Sequence, residues 1–122
     1  MSINKDLIEI DVGVGLSDSE LISYFYHKTE NKLVIKLQIW DASVVEICCD
    51  SPILFVDRGC GETSLFCQKT SDSDMLKRAL ETNYDKGIIP NNHPYKVYQI
   101  LDLDDNPSIE IICKGIEIHR IR

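Results

Sequence analysis

The chain has 122 residues, of which 43% are hydrophobic and 27% are charged. This composition excludes a disordered chain, and the length predicts a single domain over residues 1–122. The 20 Asp and Glu residues outnumber the 13 Lys and Arg residues and give a net charge of -7, which disfavours nucleic acid as a partner.

The length of the apolar runs, the N-terminal residues and the number of cysteines predict the cellular compartment and the redox state of the thiols. Its apolar runs fall short of the ~20 residues that cross a bilayer, and its N-terminus does not resemble a secretory signal. We therefore expect a cytoplasmic protein without a membrane partner. The five cysteines are an odd number and include the adjacent pair Cys48 and Cys49, which predicts reduced thiols.

The first half of the chain predicts successive β-strands. Apolar residues alternate with polar ones from Leu7 to Val14, which indicates a first strand. The spacing of residues 17–20 is that of a helix capping box, but the aromatic and β-branched residues from Ile22 to His27 favour a turn followed by a strand. The alternation continues over residues 33–40, so these two runs predict a hairpin.

The next runs extend this hairpin into a meander. Val44 to Cys49 predicts a strand that pairs back on the preceding one. Pro52 marks a break because it lacks a backbone N–H, and Ile53 to Val56 predicts a fourth short strand. We expect the meander to end at residues 57–61.

The helical pattern is confined to Asp72 to Tyr84. Ser71 or Ser73 is placed to cap its N-terminus, and Leu76, Leu80 and Tyr84 recur on one face. Gly87 is a suitable stop. The spacing therefore predicts one amphipathic helix that packs on the sheet.

The C-terminal third predicts a second hairpin. Strands over residues 95–103 and 108–113 flank a turn of Asp104, Asp105, Asn106 and Pro107. Gly115 separates the second strand from a further alternation over residues 116–121, which continues the sheet or bends it at a bulge. The predicted fold class is α+β, an antiparallel β-sheet meander with one main α-helix packed against it.

The sequence predicts neither an enzyme nor a cofactor or metal site. The acidic turn from Asp102 begins like a calcium loop, but Pro107 and Cys113 stand where that loop needs glycine and glutamate. The cysteines and histidines lack the spacing of zinc ligands. Cys60 lies between two glycines without a histidine close in sequence, so a nucleophilic role is a minor alternative.

Trp40 raises the question of which sheet face is open. Alternation places it with Lys36 and Gln38, opposite Ile35 and Leu37. If that face is open, Trp40 and its tyrosine neighbours form a contact patch rimmed by charged residues such as Lys36, of the kind found at interfaces. The alternatives are that the helix covers this face or that Trp40 packs under the break at Pro52.

The runs 33–41, 45–48 and 53–57 resemble the sheet segment of small bacterial proteins that serve as immunity proteins in polymorphic-toxin or contact-dependent inhibition systems. The resemblance rests on strand patterning and carries no functional residue to this chain. It implies a cytosolic protein that neutralises a cognate toxin by binding it.

The leading hypothesis is therefore a non-enzymatic binding module, an immunity protein whose partner is a basic toxin. The acidic groups expected to face that toxin are Asp102, Asp104, Asp105 and Glu110. One alternative is a small enzyme or ligand binder that uses Cys60 or a histidine such as His93 in a pocket between helix and sheet. Another is a structural subunit that forms a homo-oligomer through its sheet. The acidity is also explained by solubility alone.

Overall fold

A computed structural model describes residues 7–10, 16, 19–59, 61–70, 73–84 and 88–121. Nine antiparallel strands form one sheet, and a single helix of ten residues is present in this part of the chain. The elements are β1 (Leu7–Glu9), β2 (Ser19–His27), β3 (Lys32–Gln38), β4 (Val44–Asp50), β5 (Leu54–Asp57), β6 (Glu62–Lys69), α1 (Asp74–Asn83), β7 (Lys96–Asp102), β8 (Pro107–Cys113) and β9 (Gly115–Ile121). The prediction of an antiparallel sheet with one helix is confirmed, although the sheet dominates the fold.

The predicted meander is confirmed for β2, β3 and β4, because each of these strands pairs with the next one along the chain. It is wrong for β5, because this strand leaves β4 and pairs with β8, which lies far along the chain. The β6 strand was missed altogether. It occupies a central place in the sheet, where it pairs with β7 on one side and with β1 and the start of β2 on the other.

Two pairs of strands are each continuous across a bend. The β4–β9 ladder ends where Asp50 faces Gly115, and the Lys114 N–H donates to the Asp50 carbonyl. The Ile53 N–H then donates to Ile112, and the β5–β8 ladder begins one residue later. Strands β4 and β5 therefore act as one bent strand that pairs with the bent strand β8–β9 on both sides of the bend.

This bend closes the sheet on itself. Hydrogen-bonded neighbours lead from β2 to β3, to β4–β5, to β8–β9, to β7, to β6 and back to β2. The inward positions are filled by one apolar cluster, as alternation along strands requires. Its fully buried members include Ile35, Leu37, Val45, Ile47, Cys49, Ile100, Ile109, Ile111 and Cys113.

The β7 and β8 strands also bury their opposite faces. Val97 and Ile112 are 2% and 0% exposed, yet they lie outside the main cluster. Leu80 of α1 is likewise buried outside the main cluster. The Asn83 amide donates to the Tyr95 hydroxyl at 3.2 Å and ties the end of the helix to the segment before β7.

The helix bounds agree with the sequence pattern. Ser73 is the N-cap, and its hydroxyl accepts a hydrogen bond from the Leu76 N–H at 3.1 Å. Only Leu80 of the predicted stripe is fully buried, whereas Leu76 and Tyr84 are half-buried. Gly87, the predicted stop, lies outside the described residues.

The described part of the predicted N-terminal strand contains β1, and residues 11–14 of that prediction lie outside the described residues. A turn precedes β2, since the Ser19 N–H donates to the Leu16 carbonyl. The described elements contain no helix that is long and apolar enough to cross a membrane.

Candidate functional site

Exposed apolar side chains are concentrated on β2. Ile22, Tyr24, Phe25 and Tyr26 are 50%, 43%, 62% and 47% exposed. Single exposed apolar residues are common on protein surfaces, but consecutive ones on a regular strand mark an interaction surface. We call these four side chains the β2 surface.

The register with β3 places the β2 surface on both faces of the strand. Tyr24 and Tyr26 lie opposite Ile35 and Leu33, so they point to the side of the apolar core. Phe25 lies opposite Val34 and points outward, and its ring contacts that of His27, with centroids 4.6 Å apart. A bulge between residues 21 and 23 shifts the register of β2 against β3.

The inward side chains of β2 border a groove shared with β5. The rings of Tyr24 and Phe55 lie 4.6 Å apart, and the Tyr24 hydroxyl donates to a carboxylate oxygen of Asp57 at 3.1 Å. This hydrogen bond, more than burial, raises the pKa of Tyr24. The groove has a volume of about 540 Å³ and is lined by Tyr24, Phe25, Tyr26, Leu33, Pro52, Ile53, Leu54 and Phe55. We call it the β2–β5 groove.

The backbone of β2 is paired on both sides only at its start. Ser19 and Glu20 face Thr63 and Glu62 of β6. The junction is anchored by the contacting hydroxyls of Ser19 and Thr63, both of which donate to the Leu16 carbonyl. From residue 21 to residue 27, the described residues provide no ladder partner on the β6 side. We call this side of residues 21–27 the β2 edge.

Two acidic side chains stand where the β2 edge begins. Glu20 and Glu62 lie directly opposite each other on neighbouring strands, and both are exposed. Neither forms an ion pair with another described residue. Like charges placed directly opposite each other repel, so this position favours a cation from outside.

The face that carries Lys36, Gln38 and Trp40 is open. Trp40 is 75% exposed in the turn after β3, and Lys36 and Gln38 are exposed on the strand. The alternatives in which the helix covers this face, or Trp40 packs under Pro52, are therefore wrong. Lys36 is engaged on the surface by Glu46, with nitrogen and oxygen 3.5 Å apart.

The predicted acidic group is not one surface. One Asp102 oxygen accepts hydrogen bonds from the Asp104 and Asn106 N–H groups and so holds the turn. Asp104 is exposed and Asp105 is half-buried. Glu110 is 7% exposed, accepts from the Gln99 amide at 2.8 Å and pairs with Arg58. The prediction that Glu110 belongs to an exposed acidic surface is therefore wrong, because its side chain is buried.

A second cavity lies beside the helix. It has a volume of about 450 Å³ and is lined by Ser73, Asp74, Leu76, Lys77, Leu80, Ile89 and His93. The Nδ1 atom of His93 is buried and has no hydrogen-bond partner among the residues that the structure describes. His93 thus borders a cavity of the kind considered for a ligand binder. Cys60, the other residue considered there, lies outside the described residues.

Three of the described thiols, those of Cys48, Cys49 and Cys67, do not resemble catalytic nucleophiles. Burial raises the pKa of Cys67 and of half-buried Cys48, and a hydrogen bond with Cys113 together with burial raises that of Cys49. A raised pKa keeps a thiol protonated and less reactive. Among the described residues, no three His, Cys, Asp or Glu side chains are grouped to hold a metal.

Comparison with protein-family models, with curated proteins and with solved structures gives no match. The β2 surface was not predicted from the sequence, because its aromatic residues are also typical strand formers. The signal that could have found it is the run of apolar residues from Leu21 to Tyr26, interrupted only by Ser23, which is richer than one buried face requires.

Proposed function

We propose that this protein is a non-enzymatic binding module that holds a protein partner through the β2 surface. The observation that carries the proposal is the exposure of four consecutive or nearly consecutive apolar side chains, three of them aromatic. Tyrosine is among the residues most often found at energetic centres of interfaces, because a large rigid ring loses little conformational entropy on binding.

The expected partner is basic. The net charge of -7 speeds association with a positively charged protein, and the exposed pair Glu20 and Glu62 lies at one end of the β2 edge. The proposal narrows to an immunity protein that neutralises a cognate toxin, as the resemblance of residues 33–41, 45–48 and 53–57 to such proteins implies. Trp40 and Lys36, with Asp104 of the β7–β8 turn, remain proposed as additional contacts.

The test is co-expression with the product of the adjacent gene, followed by affinity measurement. We expect Phe25→Ser to weaken the complex about 30-fold, the loss typical of a residue at the centre of an interface. Trp40→Ser is the matched variant, since it removes an aromatic side chain of even greater exposure. A loss at Trp40 with none at Phe25 would move the site to the β3–β4 turn and overturn the assignment to β2.

The toxin assignment has its own readout. Expression of the adjacent gene product should arrest growth, and co-expression of this protein should restore it. If the adjacent product is harmless and does not bind, the immunity role is withdrawn.

A second candidate function is supported by the cavity beside the helix. Its lining is apolar at Leu76, Leu80 and Ile89, and its polar groups come from Lys77, His93, Ser73 and Asp74, of which Lys77 can hold an anion. This composition suits a small ligand with an apolar body and an anionic group. Thermal shift against a panel of small carboxylates tests it. A hit abolished by Lys77→Ala and kept by the helix variant Thr82→Ala would support this function.

A further inference from the structure

The β2 edge offers backbone groups as well as side chains. Successive N–H and C=O groups of a strand point alternately to its two sides, and β3 takes those on only one side of residues 21–27. Such an edge is a template for another extended chain. The bound chain gains main-chain hydrogen bonds, and its alternate side chains provide specificity.

The neighbouring groove defines the side chains that such a chain would carry. Tyr24 and Tyr26 of β2 form one wall, and Phe55 of β5 forms the other. Because side chains alternate along a strand, every second residue of an added strand would point into this groove. Those residues are expected to be apolar, since the lining is largely aromatic and aliphatic.

The charge of the β2 edge predicts which residue stands at one end of the bound strand. Glu20 and Glu62 stand side by side at the place where β6 stops pairing with β2. A Lys or Arg at the adjoining end of an added strand would relieve their repulsion. Two independent features, the groove and the carboxylate pair, therefore point to one kind of occupant.

We propose that the β2 edge binds an extended segment of the protein partner as an added strand, with apolar residues at alternate positions and a basic residue beside Glu20 and Glu62. This inference rests on the proposed partner binding and specifies its mode. It assigns the Tyr24, Tyr26 and Phe55 side chains to specificity and the backbone of residues 21–27 to affinity.

The experiment uses a random peptide library displayed on phage and panned against the whole protein. We expect enriched peptides to alternate apolar and polar residues and to carry Lys or Arg near one end. The Glu20→Gln, Glu62→Gln double variant should weaken binding of a synthetic enriched peptide about fivefold, the size expected for exposed charges. Glu117→Gln is the matched control because Glu117 is an exposed carboxylate on β9, and it should leave affinity unchanged.

Backbone methylation of the peptide separates strand addition from side-chain binding. Methyl groups on alternate peptide amides should abolish binding, whereas methyl groups on the intervening amides should leave it within about twofold, because only one side of an added strand faces β2. Hydrogen exchange should slow at alternate amides of residues 21–27 in the complex. Equal tolerance of both methylation patterns would overturn the proposal.

The outcomes distinguish this inference from the proposed function. If the adjacent gene product binds through Phe25 but residues 21–27 gain no amide protection, strand addition fails and partner binding stands. If peptides bind as strands and the adjacent product does not bind, the toxin partner fails and the edge stands. A library without binders sensitive to Tyr26→Ser, which alters a wall of the β2–β5 groove, would overturn the inference. So would a dimer of the free protein, seen by sedimentation, that Tyr26→Ser dissociates, because a second copy would then occupy the edge.

Discussion

The β2 and β8 strands are both rich in apolar residues, yet the fold treats them in opposite ways. From Ser108 to Cys113, every residue of β8 is buried. After Ser19, no residue of β2 is fully buried, and most are exposed. The difference arises from neighbours, since β8 is paired along its length by β5 and β7 whereas β2 is paired on both sides only where it meets β6. Apolar content alone therefore does not determine whether a strand serves the core or a surface.

The largest expected difference between the two strands is in the free energy of unfolding that is lost when an apolar side chain is truncated. Ile111 is fully buried in β8, so Ile111→Ala should lower the free energy of unfolding by about 3 kcal/mol through lost burial and a cavity. Phe25→Ala removes a larger side chain but should cost less than about 1 kcal/mol, because that side chain already meets water. Urea unfolding measures both values. Equal losses would contradict the assignment of β8 to the core and β2 to a surface.

A smaller effect is expected at the buried carboxylate of β8. Arg58 and Gln99 are the partners of Glu110, and Arg58→Ala should cost about 2 kcal/mol because it leaves a charge buried with one neutral donor. The control is Arg58→Ala with Glu110→Gln, which removes the unpaired charge and should recover much of the loss. Unchanged stability in the single variant would mean that solvent reaches Glu110 freely.

The smallest effect is a difference in alkaline behaviour between two tyrosines. Burial, followed by the nearby Cys113 and Cys49, raises the pKa of Tyr98 to about 12. Since this folded value exceeds the ordinary 10.0, protonated Tyr98 stabilises the fold fully below pH 10, and this contribution is lost as the pH rises from 10 towards 12.

Unfolding across that pH range, with tyrosinate absorbance, tests the difference. Tyr98→Phe should reduce the alkaline loss of stability because it removes the buried ionising group. Tyr24→Phe should leave that loss nearly unchanged, because Tyr24 is exposed and its pKa is raised mainly by its hydrogen bond to Asp57. A larger effect at Tyr24 would contradict the contrast between exposed β2 and the buried strand β7 that carries Tyr98 and pairs with β8.

Local pattern predicted most elements but not their long-range partners. The hairpins of β2 with β3 and of β7 with β8, and the helix after Ser73, follow from alternation, turn residues and capping. The β6 strand was missed because a bulge between Thr63 and Leu65 breaks its alternation. The bends that join β4 to β5 and β8 to β9 depend on pairing between distant segments, which one sequence does not reveal.

The site was predicted only in part, for the same reason. Trp40 and Lys36 are exposed as one alternative required, since alternation along β3 identifies its outer face. Glu110 could not be recognised as buried, because its partners Arg58 and Gln99 come from other segments of the chain. The exposure of β2 depends on where β6 stops, and a strand of this composition is equally suited to a core.

Site-specific photo-crosslinking tests the central claim most directly. A photoreactive phenylalanine analogue replaces Phe25 in one protein and Trp40 in another, and each is irradiated with the co-expressed product of the adjacent gene. We predict a covalent adduct from position 25 in much higher yield than from position 40. An adduct from position 40 alone, or binding of the partner without an adduct at position 25, would contradict the assignment of the β2 surface as the binding site.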